Sequence, residues 1–344
     1  MKKLTINKKI IKNFGKPFII AEACINHEGN LKNAKKMIRE AKKAGVDCIK
    51  FQIHNLNNEM LKKTPKSNNF KESLWDTLER TNFNISQQYE LKKYCEKNKI
   101  IYLCTPFSKE GADELESINV KFYKVGSGEL TNLPLIEHIA KKKKPMIIST
   151  GMSEMIEIEE TVKLVKKIKT PFALTHCTSI YPCPPKLSNI RAIPLMVEKF
   201  KVPVGLSDHT NSIYTSFGAI AHGAPIIEKH FTLDKTSVGP DHASSIEPSE
   251  LKELVHGANI IFESNNNIKK IFKEEKQIIA WARESVVTEK NIKKNEIINE
   301  KMVWVKRPAP KGNVIAAKYL SQVIGKKAKK NIPANVQLKW NDIK

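Results

Sequence analysis

Short apolar runs of strand length recur eight times along the chain, and each is followed by a segment of helical character. The runs are 18–23 (FIIAEA), 48–52 (CIKFQ), 101–105 (IYLCT), 122–126 (FYKVG), 146–150 (MIIST), 173–177 (ALTHC), 204–208 (VGLSD) and 226–230 (IIEKH). The helical segments are 31–44, 86–99, 109–117, 133–142, 153–168, 187–200, 212–223 and 249–264. Runs that are nearly continuous rather than alternating suit strands buried on both faces, as in a parallel sheet covered by helices. Eight such units in ~250 residues fit a closed (β/α)8 TIM barrel better than an open doubly wound sheet.

The remaining sequence divides around this repeat. The stretch 53–85 is too long for an ordinary strand-to-helix connection and reads as a loop over the ligand-binding face. After a barrel domain spanning 1–265, residues 266–283 are rich in Asn and Lys and read as a linker. Residues 284–344 hold short β-like runs at 285–287, 302–306 and 336–340, which predicts a small, separate, mainly β domain with a net charge of +9.

The whole chain of 344 residues carries +23, which invites a nucleic-acid reading. Only five of its 59 basic residues are arginine, and 54 are lysines spread over most of the chain. Arginine is preferred for bidentate phosphate and base recognition, so the lysines read as surface solvation and no nucleic-acid partner is expected. Small anions remain plausible ligands in a basic field. The apolar runs fall short of the ~18–20 residues a membrane span needs, and the start lacks the apolar segment of a signal peptide, so a cytoplasmic protein with no membrane partner is expected. Six cysteines without CxxC spacing read as free thiols.

In a parallel barrel the C-terminal strand ends form the active face. The polar residues there are Glu22, Asn26, His27, Lys50, Gln52, Thr105, Lys124, Ser127, Glu129, Ser149, Thr150, His176, Ser179, Ser207, Asp208, His209, Glu228 and His230. His209 and His230 end the seventh and eighth strands, neighbours in a barrel, so their imidazoles can converge on one ion. Two nitrogens with open positions suit a Lewis-acid role for Mn, Mg, Co or Zn. Lys50 and Lys124 interrupt apolar strands, where an unpaired ammonium is costly, and this favours an anionic ligand. Ser127, Ser149 and Ser207 stand in Gly/Ser turns that offer hydroxyls and amides to a phosphate or carboxylate. A Schiff-base role for one lysine is the rival chemistry.

The runs AEACINHEGNL (21–31), IKFQ (49–52), TPFS (105–108), YKVGSGELTN (123–132), STGM (149–152), HCTSIYP (176–182), GLSDHT (205–210), EKHFTLDK (228–235) and GPDHASS (239–245) resemble the sialic acid synthases, the NeuB-like enzymes. VWVKRPAPKGN resembles their C-terminal antifreeze-like (SAF) domain. The resemblance implies condensation of phosphoenolpyruvate with the open-chain aldehyde of an N-acylated mannosamine-type sugar, giving a nine-carbon 2-keto acid and phosphate. N-acetylmannosamine, giving N-acetylneuraminate, is the first acceptor it suggests, and a 2,4-diacetamido-trideoxyhexose, giving diacetyllegionaminate or pseudaminate, is the second. It implies a divalent metal, Mn2+ with Mg2+ or Co2+ as alternatives, on His209 and His230. Lys50, Thr105, Lys124, Ser127, Ser149 and Ser207 would surround phosphoenolpyruvate. Gln52, Asn69, Tyr181 and Asp241 would hold the sugar with Glu22 and Glu129, which handle protons. Ser179 stands where some members have Asn beside the phosphate, and Ala23-Cys24 where Ile-Gly is common. Arg307 would reach from the SAF domain of one subunit into its partner's barrel, which implies a homodimer.

Overall fold

The structure is a computed structural model that describes residues 3–65 and 72–344. The chain forms two compact units, residues 1–266 and 267–344. The first opens with a hairpin of β1 (Leu4–Ile6) and β2 (Lys9–Ile11), paired antiparallel. Eight parallel strands follow: β3 (Phe18–Glu22), β4 (Cys48–Ile53), β5 (Ile101–Pro106), β6 (Tyr123–Val125), β7 (Met146–Ser149), β8 (Phe172–His176), β9 (Val204–Asp208) and β10 (Ile226–His230). Their ladder runs β5-β4-β3-β10-β9-β8-β7-β6, and β5 also packs against β6, so the sheet curls into a nearly closed barrel. The expected (β/α)8 architecture is present, with the strands within a residue or two of the apolar runs.

Alternation inside each strand separates two cores. One set of residues, including Ile19, Ile49, Tyr123, Ile148 and Ile227, faces outward onto the helices. The other set, Phe18, Ile20, Cys48, Leu103, Phe122, Ile147, Ala173 and Ile226, fills the lower interior together with Leu4, Ile6 and Ile11 of the hairpin. The hairpin therefore plugs the N-terminal end of the barrel. Its alternating LTI and KII segments are too short to register as strands on periodicity alone, and the sequence reading missed them.

The stretch 53–85 is not simply a loop. It contains helices Leu56–Glu59 and Leu74–Thr81, the second capped by Ser73, whose Oγ accepts from the Asp76 amide. Trp75 and Leu78 form the buried face of that helix. Helix Pro248–Ser264 closes the unit.

In the second unit, residues read as linker include a helix, Glu275–Ala282, ahead of the antiparallel pair β11 (Ser285–Thr288) and β12 (Val303–Lys306). The run 336–340 joins by isolated bridges, Gln337 to Val287 and Lys339 to Val314, rather than as a regular strand. Val286, Ile298, Ile315, Val323 and Leu338 share its small core.

Candidate active site

The inward parity of the lower core continues toward the C-terminal strand ends, where apolar residues give way to polar ones. Two residues beyond Ile20 stands Glu22; beyond Cys48 stand Lys50 and Gln52; beyond Leu103, Phe122 and Ile147 stand Thr105, Lys124 and Ser149; beyond Ile226 stand Glu228 and His230. Register then sets the neighbours. Glu22 pairs across to Lys50 on one side and to His230 on the other, and Glu228 stands opposite Ser207. These residues line a cavity of about 690 Å³, ample for two small substrates.

Charge is concentrated at its floor. Lys50 Nζ lies 2.8 Å from Glu22 Oε2 and 3.1 Å from Glu228 Oε2. Lys124 Nζ lies 3.6 Å from Glu228 Oε1 and donates to Ser149 Oγ at 2.5 Å, while Ser207 donates to Glu228 at 2.8 Å. Burial alone would raise the Glu228 carboxyl, but Lys124 and Lys50 outweigh it and bring it down to about 2. Burial, helped by Lys124 and opposed by Glu228, brings Lys50 down to about 7. Both Glu22 oxygens are buried without a hydrogen bond of acceptable geometry, despite the nearby ammonium, and Thr105 Oγ1 is likewise unpartnered. Buried acceptors of this kind are costly unless a ligand meets them.

Beside this floor Ser127 Oγ accepts from the Gly151 amide at 3.1 Å and lies 3.1 Å from Cys177 Sγ. A Cβ on Gly151 would come within 2.2 Å of Ser179 Oγ and 2.8 Å of Ser127 Oγ. Glycine thus keeps open a cradle of hydroxyls next to Lys124, suited to an anion.

The histidines meet the requirement for a metal. His209 Nδ1 lies 2.8 Å from the Thr178 carbonyl; a carbonyl only accepts, so Nδ1 carries the proton and Nε2 presents its lone pair. His230 Nδ1 is buried and has no hydrogen-bond partner among the described residues. The two rings are 5.4 Å apart at their centroids. Burial brings His209 to about 4 and, with the neighbouring His209 and Lys50 charges, holds His230 well below the usual imidazole range, so both are neutral and able to ligate. The residues present fit a divalent ion.

Toward the rim, the Tyr181 ring lies tilted by 31° against the His209 ring, with centroids 4.1 Å apart. Gln52 Oε1 is 3.1 Å from His54 Nε2, and His54 Nδ1 is 2.7 Å from Glu59. Burial raises the Glu129 carboxyl, against a hydrogen bond from Asn132. Burial also raises Asp241, and both burial and Asp241 raise the Cys24 thiol. Ile25, Met60, Leu74 and Leu78 make one wall of the cavity apolar.

The structure therefore brings together Glu22, Lys50, Gln52, Thr105, Lys124, Ser127, Glu129, Ser149, Ser179, Tyr181, Ser207, His209, His230 and Asp241 around one cavity. Asn69 lies outside the described residues. Arg307 belongs to the second unit, where its guanidinium carbon sits 5.4 Å over the Trp281 ring. Five polar strand-end residues turn elsewhere, among them Thr150, whose Oγ1 donates to the Thr175 carbonyl. Asn26 bonds the Phe231 carbonyl and Ser245, His27 stacks on Phe83, His176 meets the Ser188 carbonyl, and Asp208 pairs with the buried Lys229. Glu228, named among the strand ends but given no role from sequence, is central. Its parity with His230 is the signal that would have found it.

Fold and site define a parallel-barrel protein whose C-terminal mouth gathers buried ammonium groups, hydroxyls and carboxylates beside two imidazoles. The chain belongs to the NeuB family, whose profile matches residues 37–270, and the SAF domain profile matches residues 283–344. It is 41% identical over 326 residues to the N,N'-diacetyllegionaminic acid synthase of Campylobacter jejuni, covering 92% of this chain and 97% of that one. It is 36% identical over 302 residues to the human N-acetylneuraminate-9-phosphate synthase, covering 86% and 84%. The crystal structure of a sialic acid synthetase from Leptospira borgpetersenii, in complex with citrate, superposes with a TM-score of 0.73 at 34% identity over 80% of this chain and 95% of that one. Among the described residues no helix is long and apolar enough to cross a membrane.

Proposed function

We propose that this chain condenses phosphoenolpyruvate with an open-chain N-acylated hexosamine and water, giving a nine-carbon 2-keto acid and inorganic phosphate. The observation that carries the reading is the floor of the barrel. There two lysines and a serine cradle stand beside the buried Glu22 carboxylate and ligand-ready imidazoles. Lys124, Ser127, Ser149 and Ser207 hold the phosphate, and Lys50 neutralises the carboxylate. C3 of phosphoenolpyruvate then attacks the sugar aldehyde, water adds at C2, and phosphate leaves by C–O cleavage. Glu22 takes the proton of the attacking water. Glu129, whose carboxyl is raised by burial, gives a proton to the new alkoxide. A divalent ion held by His209 and His230, Mn2+ with Mg2+ or Co2+ as alternatives, supplies Lewis-acid polarisation of the aldehyde.

Sequence names N-acetylmannosamine first; the pocket favours the diacetamido-trideoxy sugars. The wall of Ile25, Met60, Leu74 and Leu78 suits a 6-methyl group and acetamido methyls better than a hydroxymethyl or phosphate. The 41% identity to a diacetyllegionaminic acid synthase supports the same choice. Arg307 completes the site from the SAF domain of the other subunit of a homodimer. Gln52 and Tyr181 bind the sugar.

The test is phosphate release and product mass from phosphoenolpyruvate with N-acetylmannosamine, its 6-phosphate and the 2,4-diacetamido-trideoxy sugars. The expected result is a product with the last class, lost on EDTA treatment. Turnover that survives EDTA, or no phosphate release with any sugar, overturns the reading. The low Lys50 value of about 7 favours one rival, a Schiff-base aldolase. Borohydride trapping of a lysine adduct would establish that rival, and an unchanged mass would eliminate it.

A further inference from the structure

We propose that Cys24 is a metal ligand in this chain, joining His230 and Asp241 in a sulfur–nitrogen–oxygen donor set that selects a borderline ion of the Zn2+, Co2+ or Fe2+ class over Mg2+. The ligand atoms of these three residues all lie within 4.8 Å of one another. Donors on a common zinc ion at ~2.0–2.3 Å sit roughly 3.3–3.7 Å apart, so side-chain adjustments of about 1 Å close the set. All three residues line the cavity described above. His230 Nδ1 is buried and unpartnered, with the residue only 7% exposed, and this nitrogen independently marks the spot as waiting for a ligand.

Cys24 stands in the turn just past the end of strand Phe18–Glu22, and that turn brings it to the cavity wall. Its backbone has φ 43, in the left-handed region. Glycine adopts that conformation without penalty, while a residue with a Cβ loses about 1 kcal/mol. A cysteine held there is strained locally, and a bond made by its sulfur compensates. Soft sulfur changes the site's preference as well as its strength. Imidazole nitrogens already lean toward Zn2+, Fe2+ and Co2+, and a thiolate strengthens that lean against hard, oxygen-seeking ions. On binding, the ion displaces the Sγ proton, so one S–H bond is exchanged for one metal–sulfur bond and a proton is released to solvent.

The inference rests on the reading of the barrel mouth as a metal site, and Co2+ spectroscopy separates the two. The full-length protein, stripped by chelator, is titrated with Co2+ alone. Wild type should show a near-ultraviolet thiolate-to-cobalt charge-transfer band together with visible d–d absorption. Cys24→Ser should lose the band yet keep visible absorption, and its Zn2+ affinity should fall by more than about tenfold with Mg2+ affinity little changed. Cys24→Gly, which relieves the left-handed backbone, provides a second folded variant and should behave in the same way. A wild-type spectrum without the band, but with visible absorption that His230→Ala removes, overturns the sulfur ligand and leaves the histidine site standing. A band that persists in Cys24→Ser also overturns it, since the sulfur then comes from another cysteine. Failure of the wild type to bind Co2+ overturns both readings.

Discussion

Lys50 is the residue whose chemistry is most exposed to pH. In the ligand-free barrel, burial and the Lys124 charge hold it at about 7, against the pull of Glu228. A bound phosphoenolpyruvate anion favours the ammonium form, so the folded pKa rises on binding and a proton is taken up. Above neutrality the free protein must acquire that proton, and affinity falls as pH rises past about 7. Calorimetry in slightly alkaline buffers of different ionisation enthalpy should show net uptake approaching one proton; binding heats independent of buffer would contradict the assignment. Glu228 gives a complementary case. Among the described residues it is the carboxylate facing Lys124 and one of two facing Lys50. Glu228→Gln should lower unfolding stability by roughly 3 kcal/mol, because buried ammonium charge is left uncompensated. Inorganic phosphate should then raise its urea midpoint more than that of wild type, and an equal or smaller rise would sink the idea. Glu228 also shows where sequence reading stopped short. Strand-end position was legible for every polar residue, but position alone does not separate Glu228 from Asp208. Only parity does, since Asp208 and Lys229 point outward into their own buried pair. The same parity explains why His176 drops out and Thr105 stays.

At the scale of elements, the barrel strands were legible because each is buried on both faces and reads as a nearly continuous apolar run. Their helices were legible because each follows a strand, and several carry a cap, as Asn30 does for Leu31–Ala44 by accepting from the Lys32 and Asn33 amides. The terminal hairpin was not, since three-residue strands carry too little periodicity. The helix Leu74–Thr81 was hidden for a different reason: Pro65 and the SNN run signal irregular chain, and they mask the amphipathic LWDTLERT that follows. That helix matters because its Leu78 packs with Cys24 and Ile25 to form the apolar wall of the cavity. Leu78→Ser removes apolar surface without touching the charged floor. It should raise KM for a diacetamido-trideoxy sugar about tenfold while leaving KM for phosphoenolpyruvate nearly unchanged. An equal rise in both would show that the helix shapes the floor and does not select the sugar. At the strand ends His230→Ala is expected to cut turnover by at least about a thousandfold, the loss of several kcal/mol of Lewis-acid stabilisation, with an unchanged circular dichroism spectrum. Wild-type turnover in that variant would remove the metal assignment.

At the scale of the whole molecule the proposed role of the second unit is open to direct test. The net charge of +23 is mostly lysine, but the second unit's Arg307 is one of only five arginines in the chain. Its guanidinium carbon sits 5.4 Å over the Trp281 ring, and its planar fork of donors suits an N-acyl carbonyl better than a mobile lysine would. If Arg307 serves the barrel of a partner subunit, then neither Arg307→Ala nor Lys50→Ala homodimers contain an intact site. After subunit exchange in equal mixture, half of the dimers are mixed, and each mixed dimer pairs one unmodified barrel with one unmodified SAF domain. Activity should recover to roughly a quarter of wild type, since that is the share of sites in which both parts are native. If Arg307 instead served its own chain's barrel, every chain in the mixture would still carry a defect in its own site, and no exchange could restore turnover. Recovery measured against the fraction of heterodimer, determined by mass, therefore decides between the two arrangements. Failure to recover in confirmed heterodimers would assign each site to a single chain.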